Sequence, residues 1–249
     1  MSEKEKINIL GVDVSAKTMD ETVDELMGYL GDGSTHTVYT PNSEIIYMAY
    51  KDEEFKNILN SADVKSADGI GVVYASKILR KPLTERVAGY DLMHAFFKKA
   101  KDRGVRVFLF GSKPTVAENA GKMLSDMYEG LEICGTRNGY FKPEETDEIV
   151  NMINASNPDV VLVCLGAPKQ EKWISAHKDE LDFGVCMGIG GSLDVFAGTV
   201  KRAPEFYQKH GIEWLYRLCK QPSRFIRMME LPKFGLTVIF KGRKFKQEK

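Results

Sequence analysis

Apolar residues along this chain recur in two rhythms that take turns. Short β-branched runs read as strands over Ile7–Val14, His36–Thr40, Val105–Phe110, Asp159–Leu165 and Phe183–Ile189. The last two are almost continuously apolar, as expected where helices cover both faces of a parallel sheet. Between the runs, three-to-four spacing predicts helices over about Met19–Leu30, Glu53–Ala62, Gly71–Leu79, Asp91–Lys101 and Val116–Tyr128. Thr18 followed three residues later by Glu21 marks the first of these with a capping box. Such alternation predicts an α/β architecture: a Rossmann-like, doubly wound, mainly parallel sheet. The last 45 or so residues change character, becoming basic, aromatic and helical. The chain is therefore expected to divide into an α/β domain over residues 1–197 and a basic amphipathic C-terminal appendage over 198–249.

Composition sharpens the division. With 43% hydrophobic residues among 249, the chain can bury a sizeable core, which excludes disorder and a disulfide-knot scaffold. Lysine plus arginine equals aspartate plus glutamate at 35 each, yet from Lys201 onward there are 13 basic and 4 acidic residues. An acidic body thus carries a basic tail. Cys134, Cys164, Cys186 and Cys219 form no CxxC pair, and three lie in or beside apolar runs, so buried free thiols in a reducing compartment are expected. MSEKEKINIL has no adjoining apolar stretch and does not read as a signal peptide. The longest apolar runs, Val160–Leu165 and Phe234–Phe240, are far shorter than the roughly 20 residues that span a bilayer. A cytoplasmic protein that touches a membrane without crossing it is expected.

In a doubly wound sheet, ligands bind beyond the carboxyl ends of the strands. The loops there contain Thr40-Pro41-Asn42-Ser43, Asp68-Gly69-Ile70-Gly71, Gly111-Ser112-Lys113-Pro114, Gly166-Ala167-Pro168-Lys169-Gln170 and Gly190-Gly191-Ser192-Leu193-Asp194. Glycine brings backbone N–H groups close to a ligand, and a following helix N-terminus favours an anion, so a phosphate-bearing ligand fits. No segment completes GxGxxG or GxxxxGK[ST], which argues against a nicotinamide-binding dehydrogenase and a Walker-type nucleotidase. No HExxH occurs, and no two aspartates are one residue apart, so no metal site is expected. A diphosphate would be handled by cationic side chains and N–H groups.

Individual residues admit two readings. Asp68 is either the N-cap of the helix that follows Gly69 or a general base for an acceptor hydroxyl. Thr40, Asn42 and Gln170 are either turn and cap residues or neutral groups that read sugar hydroxyls. In the tail, Arg217, Lys220, Arg224 and Arg227 share a helical face, which Pro222 interrupts, beside Trp214, Leu215, Leu218, Phe225 and Met228. A solvated face, a membrane-surface segment and nucleic-acid binding compete there. The acidic body disfavours a polyanion, so no nucleic-acid partner is expected.

Together the loops carry a resemblance. Thr40-Pro41-Asn42-Ser43-Glu44, Asp68–Val72, Arg86–Asp91, Asn138-Gly139-Tyr140, Leu165–Glu171 and Gly190–Asp194 through Lys201-Arg202-Ala203-Pro204 resemble the WecG/TagA/CpsF glycosyltransferases, from about Ile7 to Phe240, most of all the TagA branch. The resemblance implies transfer of a sugar from a UDP donor to undecaprenyl-diphosphate-linked N-acetylglucosamine at the inner membrane face. For that branch it implies N-acetylmannosamine, inversion, a β-1,4 bond, no metal or cofactor, and wall teichoic acid linkage-unit synthesis. Asp68 matches the family's proposed base. Thr40, Asn42 and Gln170 match sugar-orienting pocket residues. Arg217, Arg224 and Arg227 match tail arginines that close over the site and neutralise the diphosphate. Gly111, Gly166, Gly190, Gly191 and Asp194 fall in loops that would cradle UDP. An anionic membrane surface is the implied partner of the tail, and an exposed apolar groove would favour a homodimer. The competing classes are a dehydrogenase or epimerase, and a non-catalytic nucleotide-binding adaptor.

Overall fold

The computed structural model describes residues 6–220 and 225–245. The run predicted as one strand, Ile7–Val14, is instead a hairpin of β1 (Lys6–Ile9) and β2 (Val12–Ser15), which form a two-stranded antiparallel sheet of their own. Alternating apolar residues fit either arrangement. The chain reverses at Leu10 and Gly11, whose φ angles of 54° and 93° suit a two-residue hairpin loop. Asn8 holds the turn by accepting the Gly11 N–H at 2.9 Å. Ile7, Ile9, Val12 and Val14 then share one buried face.

After α1 (Met19–Tyr29), which has the predicted Thr18–Glu21 capping box, come β3 (His36–Tyr39), α2 (Ser43–Lys51), α3 (Glu53–Asn60) and β4 (Val64–Lys65). Next are α4 (Ile70–Ile78), α5 (Gly89–Ala100), β5 (Arg106–Gly111), α6 (Val116–Met127) and β6 (Glu132–Arg137). Then follow α7 (Thr146–Ala155), β7 (Val160–Cys164), α8 (Lys169–His177), β8 (Val185–Gly188) and α9 (Ser192–Phe196). The appendage contributes α10 (Glu205–Lys209), α11 (Glu213–Lys220), α12 (Phe225–Met228) and α13 (Glu230–Lys241). Helices α2, α7, α8 and α9 and strands β4 and β6 are additions to the sequence reading. β6 is an edge strand with half-buried side chains, so it carries little apolar signal.

The main sheet is parallel throughout, in the order β4-β3-β8-β7-β5-β6. Side-chain alternation divides its core in two. Phe108, Phe110, Val161, Val163 and Cys186 pack with the hairpin, α2, α3, α4, α7, α8 and α13. Val107, Leu109, Val160, Leu162 and Met187 pack with α1, α5, α6 and α9. The appendage shares the first of these cores, because Phe234 and Val238 of α13 are buried in it. From β4, at one edge, the chain returns at β5 beyond β8 and β7, and the crevice for a ligand lies outside the strand ends where the winding reverses.

Candidate active site

The carboxyl ends of β3, β4, β5, β7 and β8 open into one cleft of about 1700 Å³. Thr40 and Asn42 line it from the end of β3, Asp68 from β4, Gly166 and Gln170 from β7, and Gly190, Gly191 and Asp194 from β8. Side chains scattered over 155 residues are thus gathered because parallel strands all end on the same side. Gly111 is the exception and is not part of the lining. Its φ is +130°, and a Cβ there would sit 2.2 Å from the Cys164 carbonyl oxygen, so this glycine lets β5 lie close to β7. Its neighbour Ser112 lines the cleft in its place.

The loops are tied to each other by their own polar groups. Gln170, 2% exposed, accepts the Gly190 N–H at 3.0 Å and donates to Glu171 Oε1 at 2.9 Å. The Cys164 thiol donates to the Gly190 carbonyl, and Ser112 Oγ donates to Asp194 Oδ2 at 3.0 Å. Thr40 Oγ1 donates to the Gly188 carbonyl at 3.3 Å. Asn42 is the N-cap of α2, its Oδ1 accepting from Ile45 N at 3.0 Å, which leaves its Nδ2 amide for a ligand. The cap reading of Asn42 therefore holds, and Gln170 spends its oxygen and one N–H inside the protein. Burial pushes the Cys164 thiol up to about 11, so at neutral pH it stays protonated and is a poor nucleophile. Cys186 is buried as expected, Cys134 half-buried and Cys219 exposed.

Asp68 stands on the turn between β4 and α4, with its N–H donated to the Pro41 and Ser66 carbonyls. The N-cap of α4 is Gly69, with no side-chain cap among the described residues, so the capping reading of Asp68 is overturned. Close approach is again the reason for a glycine: a Cβ on Gly71 would meet Ser43 Oγ at 2.2 Å, so α4 begins against α2. Helices α5 and α8 also begin at the cleft without a side-chain cap. Uncapped first turns present unsatisfied N–H groups and the positive end of the helix dipole, which suits a phosphate.

Sequence reasoning passed over the charged wall at the start of α5. Arg86 Nη1 donates to Glu213 Oε2 at 2.8 Å, and its Nη2 lies 3.3 Å from Asp91 Oδ2. Arg202 Nη2 lies 2.6 Å from Asp91 Oδ1, and its guanidinium rests 4.5 Å from the centre of the Tyr90 ring. Burial works against the Arg86 charge, but the hydrogen bond to Glu213 and the fields of Asp68, Glu213 and Asp91 outweigh it and hold its pKa above the ordinary value. Both arginines lie within motifs that carried the resemblance. What sequence lacked was their pairing, which spans more than a hundred residues. Lys113 and Lys169 add exposed cations at the mouth, near Tyr140, which is 65% exposed.

Of the tail arginines, Arg224 lies outside the described residues, as do the side chains of Arg217 and Arg227, whose backbones belong to α11 and α12. Among the described residues no three His, Cys, Asp or Glu side chains are grouped to hold a metal ion, and no helix is long and apolar enough to cross a membrane.

The sequence profile of the glycosyl transferase WecG/TagA/CpsF family matches residues 7–248. An N-acetylglucosaminyldiphosphoundecaprenol N-acetyl-beta-D-mannosaminyltransferase of Bacillus spizizenii (strain W23) is 41% identical over 212 residues, 85% of this chain and 81% of that protein. A protein of the same name from Staphylococcus aureus (strain MW2) is 36% identical over 246 residues, 98% of this chain and 96% of its own.

Proposed function

The chain belongs to the WecG/TagA/CpsF glycosyl transferase family, and from that premise we propose that it moves N-acetylmannosamine from a UDP donor to the C4 hydroxyl of N-acetylglucosaminyl-diphospho-undecaprenol. The observation that carries this reading is the cleft itself. Asp68, the neutral groups Thr40 and Asn42, and uncapped helix N-termini face one volume large enough for two sugars and a diphosphate. In the proposed step, Asp68 removes the hydroxyl proton as that oxygen attacks the anomeric carbon. The bond to UDP breaks on the opposite face, so the α-linked donor yields a β-1,4 product. Negative charge grows on the departing diphosphate. Loop N–H groups and the helix starts of α4, α5 and α8 would stabilise it, together with Lys113, Lys169 and the tail arginines Arg217, Arg224 and Arg227, without a metal ion. Gly166, Gly190, Gly191 and Asp194 would cradle UDP, and Gln170 would act by holding the Gly190 loop.

The acceptor is a lipid, and α13 offers a means of meeting it. Phe234 and Val238 face the core, while Leu236, Ile239 and Phe240 are exposed at 56%, 53% and 76%. Those three share the opposite face at helical spacing and continue into Lys241, Arg243 and Lys244. A helix apolar on both sides, with cations at its end, supports peripheral docking on the anionic inner face of a membrane. Linkage-unit synthesis for wall teichoic acid is the pathway such a product would enter.

The test is mass spectrometry of the product formed from a short-prenyl GlcNAc diphospholipid with UDP-N-acetylmannosamine, its uronic acid or UDP-glucose, with and without EDTA. The expected result is one added N-acetylhexosamine from the first donor alone, unaffected by EDTA. Transfer only from another donor removes the proposed sugar. Loss of turnover with EDTA and its return with manganese removes the metal-free step.

A further inference from the structure

The charged wall holds four groups: Arg86, Asp91, Arg202 and Glu213. Arg86 and Arg202 each pair with both carboxylates, Arg202 Nε lying 3.9 Å from Glu213 Oε1. The two acids are placed differently. Asp91, in the first turn of α5, belongs to the body and does not line the cleft. Glu213, in the first turn of α11, belongs to the appendage and does line it, as Arg86 and Arg202 do. With both acids in place the cluster is neutral. With Glu213 withdrawn, two guanidinium groups face the cleft against one carboxylate, and the cluster is cationic.

We infer that Arg86 and Arg202 are the binding site for the diphosphate of the lipid-linked acceptor, and that Glu213 fills this site until the ligand displaces it. The inference rests on the transferase reading. A carboxylate and a phosphate present similar oxygen pairs to a guanidinium fork, so one can stand in for the other. The fork is prepared for exchange: Asp91 fixes Arg202 at 2.6 Å, and the Tyr90 ring beneath it is stacked on Phe196 at 4.7 Å. Position favours the acceptor over the donor. Arg86 is close enough to Asp68 to feel its charge, and the acceptor sugar must reach from its diphosphate to the hydroxyl that Asp68 would deprotonate. The glycine loops assigned to UDP leave β7 and β8 instead. Arg202 and Glu213 also come from the appendage whose α13 bears the exposed apolar face along which a prenyl chain can leave.

The experiment is calorimetric titration of the full-length chain with farnesyl-diphosphate-linked GlcNAc and, separately, with UDP. Glu213→Gln is expected to tighten the prenyl ligand by about tenfold, the worth of one charge-assisted hydrogen bond. Arg86→Gln and Arg202→Gln are expected to weaken it by about tenfold or more, and UDP affinity is expected to stay within about twofold in all three. Should Glu213→Gln fail to fold by circular dichroism, Glu213→Asp keeps the charge, shortens its reach and is expected to tighten binding to a smaller degree. Unchanged or weaker binding of the prenyl ligand by the Glu213 variant overturns the displacement. A response confined to UDP gives the arginines to the donor and overturns the acceptor assignment. A wild-type chain that binds neither ligand overturns the transferase reading, whereas binding of both with an indifferent Glu213 variant overturns this inference alone.

Discussion

Gln170 Oε1 accepts the backbone N–H of Gly190 at 3.0 Å, which ties the start of α8 to the loop that leaves β8. The same side chain donates to Glu171, so a single buried amide braces two walls of the cleft. Gln170→Ala leaves the Gly190 N–H and the Glu171 carboxyl without this partner, at a cost of about 1–3 kcal/mol for each unsatisfied buried group. Thermal unfolding should register the loss, and donor KM should rise more than acceptor KM. Equal changes in the two constants, with Tm unaltered, would contradict the bracing role.

Asp68→Asn keeps the shape of the side chain and removes its basicity. Turnover should fall by roughly 10²- to 10⁴-fold, the usual contribution of a positioned base. UDP affinity should hardly move, because the lost interaction acts in the transition state. Pre-steady-state product formation at saturating substrates measures the effect. A variant that turns over at the wild-type rate removes Asp68 from the mechanism.

Gly111→Ala separates a structural glycine from a ligand-binding one. The added methyl would sit 2.2 Å from the Cys164 carbonyl oxygen at a φ of +130°. Such a clash with backbone is expected to destabilise the fold by about 2–4 kcal/mol. Urea unfolding reads this directly. Unaltered stability together with lost UDP affinity would return Gly111 to the nucleotide site.

Glu171 supplies a pH dependence. It is 1% exposed, its Oε2 has no hydrogen-bond partner among the described residues, and burial raises its pKa above the ordinary 4.5, with the Gln170 hydrogen bond opposing in part. A carboxyl with a raised folded pKa binds its proton more tightly in the native state, so it weakens the fold as pH climbs above 4.5. Glu171→Gln lacks that proton equilibrium. Its Tm relative to wild type should therefore improve as pH rises above 4.5 and level off once pH passes the raised folded pKa, and a difference independent of pH would refute the assignment.

The outer face of α13 can be tested without the active site. Replacing Leu236, Ile239 and Phe240 together by serine removes exposed apolar surface and leaves Phe234 and Val238 in the core. Co-sedimentation with phosphatidylglycerol vesicles should drop by about tenfold or more, with Tm and UDP affinity preserved. Undiminished sedimentation would move membrane contact elsewhere.

The alternation of strand and helix, the glycine-rich loops after the strands and the capping box at Thr18 could be read from the chain, because they are local patterns of period, turn residue and charge. The runs Asp159–Leu165 and Phe183–Ile189 announced a covered parallel sheet, and Thr40, Asn42, Asp68 and Gly190 fell where such a sheet puts ligands. Local pattern could not separate one strand from a hairpin over Ile7–Val14, since both bury alternate residues and differ only in the sign of φ at Leu10 and Gly11. Nor could it assign Gly111 to strand packing or Gln170 to a brace, because each depends on an atom contributed by another strand. The Arg86–Glu213 pair lies furthest from local reach. Its partners are 127 residues apart, and only the return of the appendage across the open ends of the sheet brings opposite charges within 2.8 Å. Periodicity is a property of neighbours along the backbone and survives in a string of letters, whereas a charge pair across a cleft comes into being when the chain has folded.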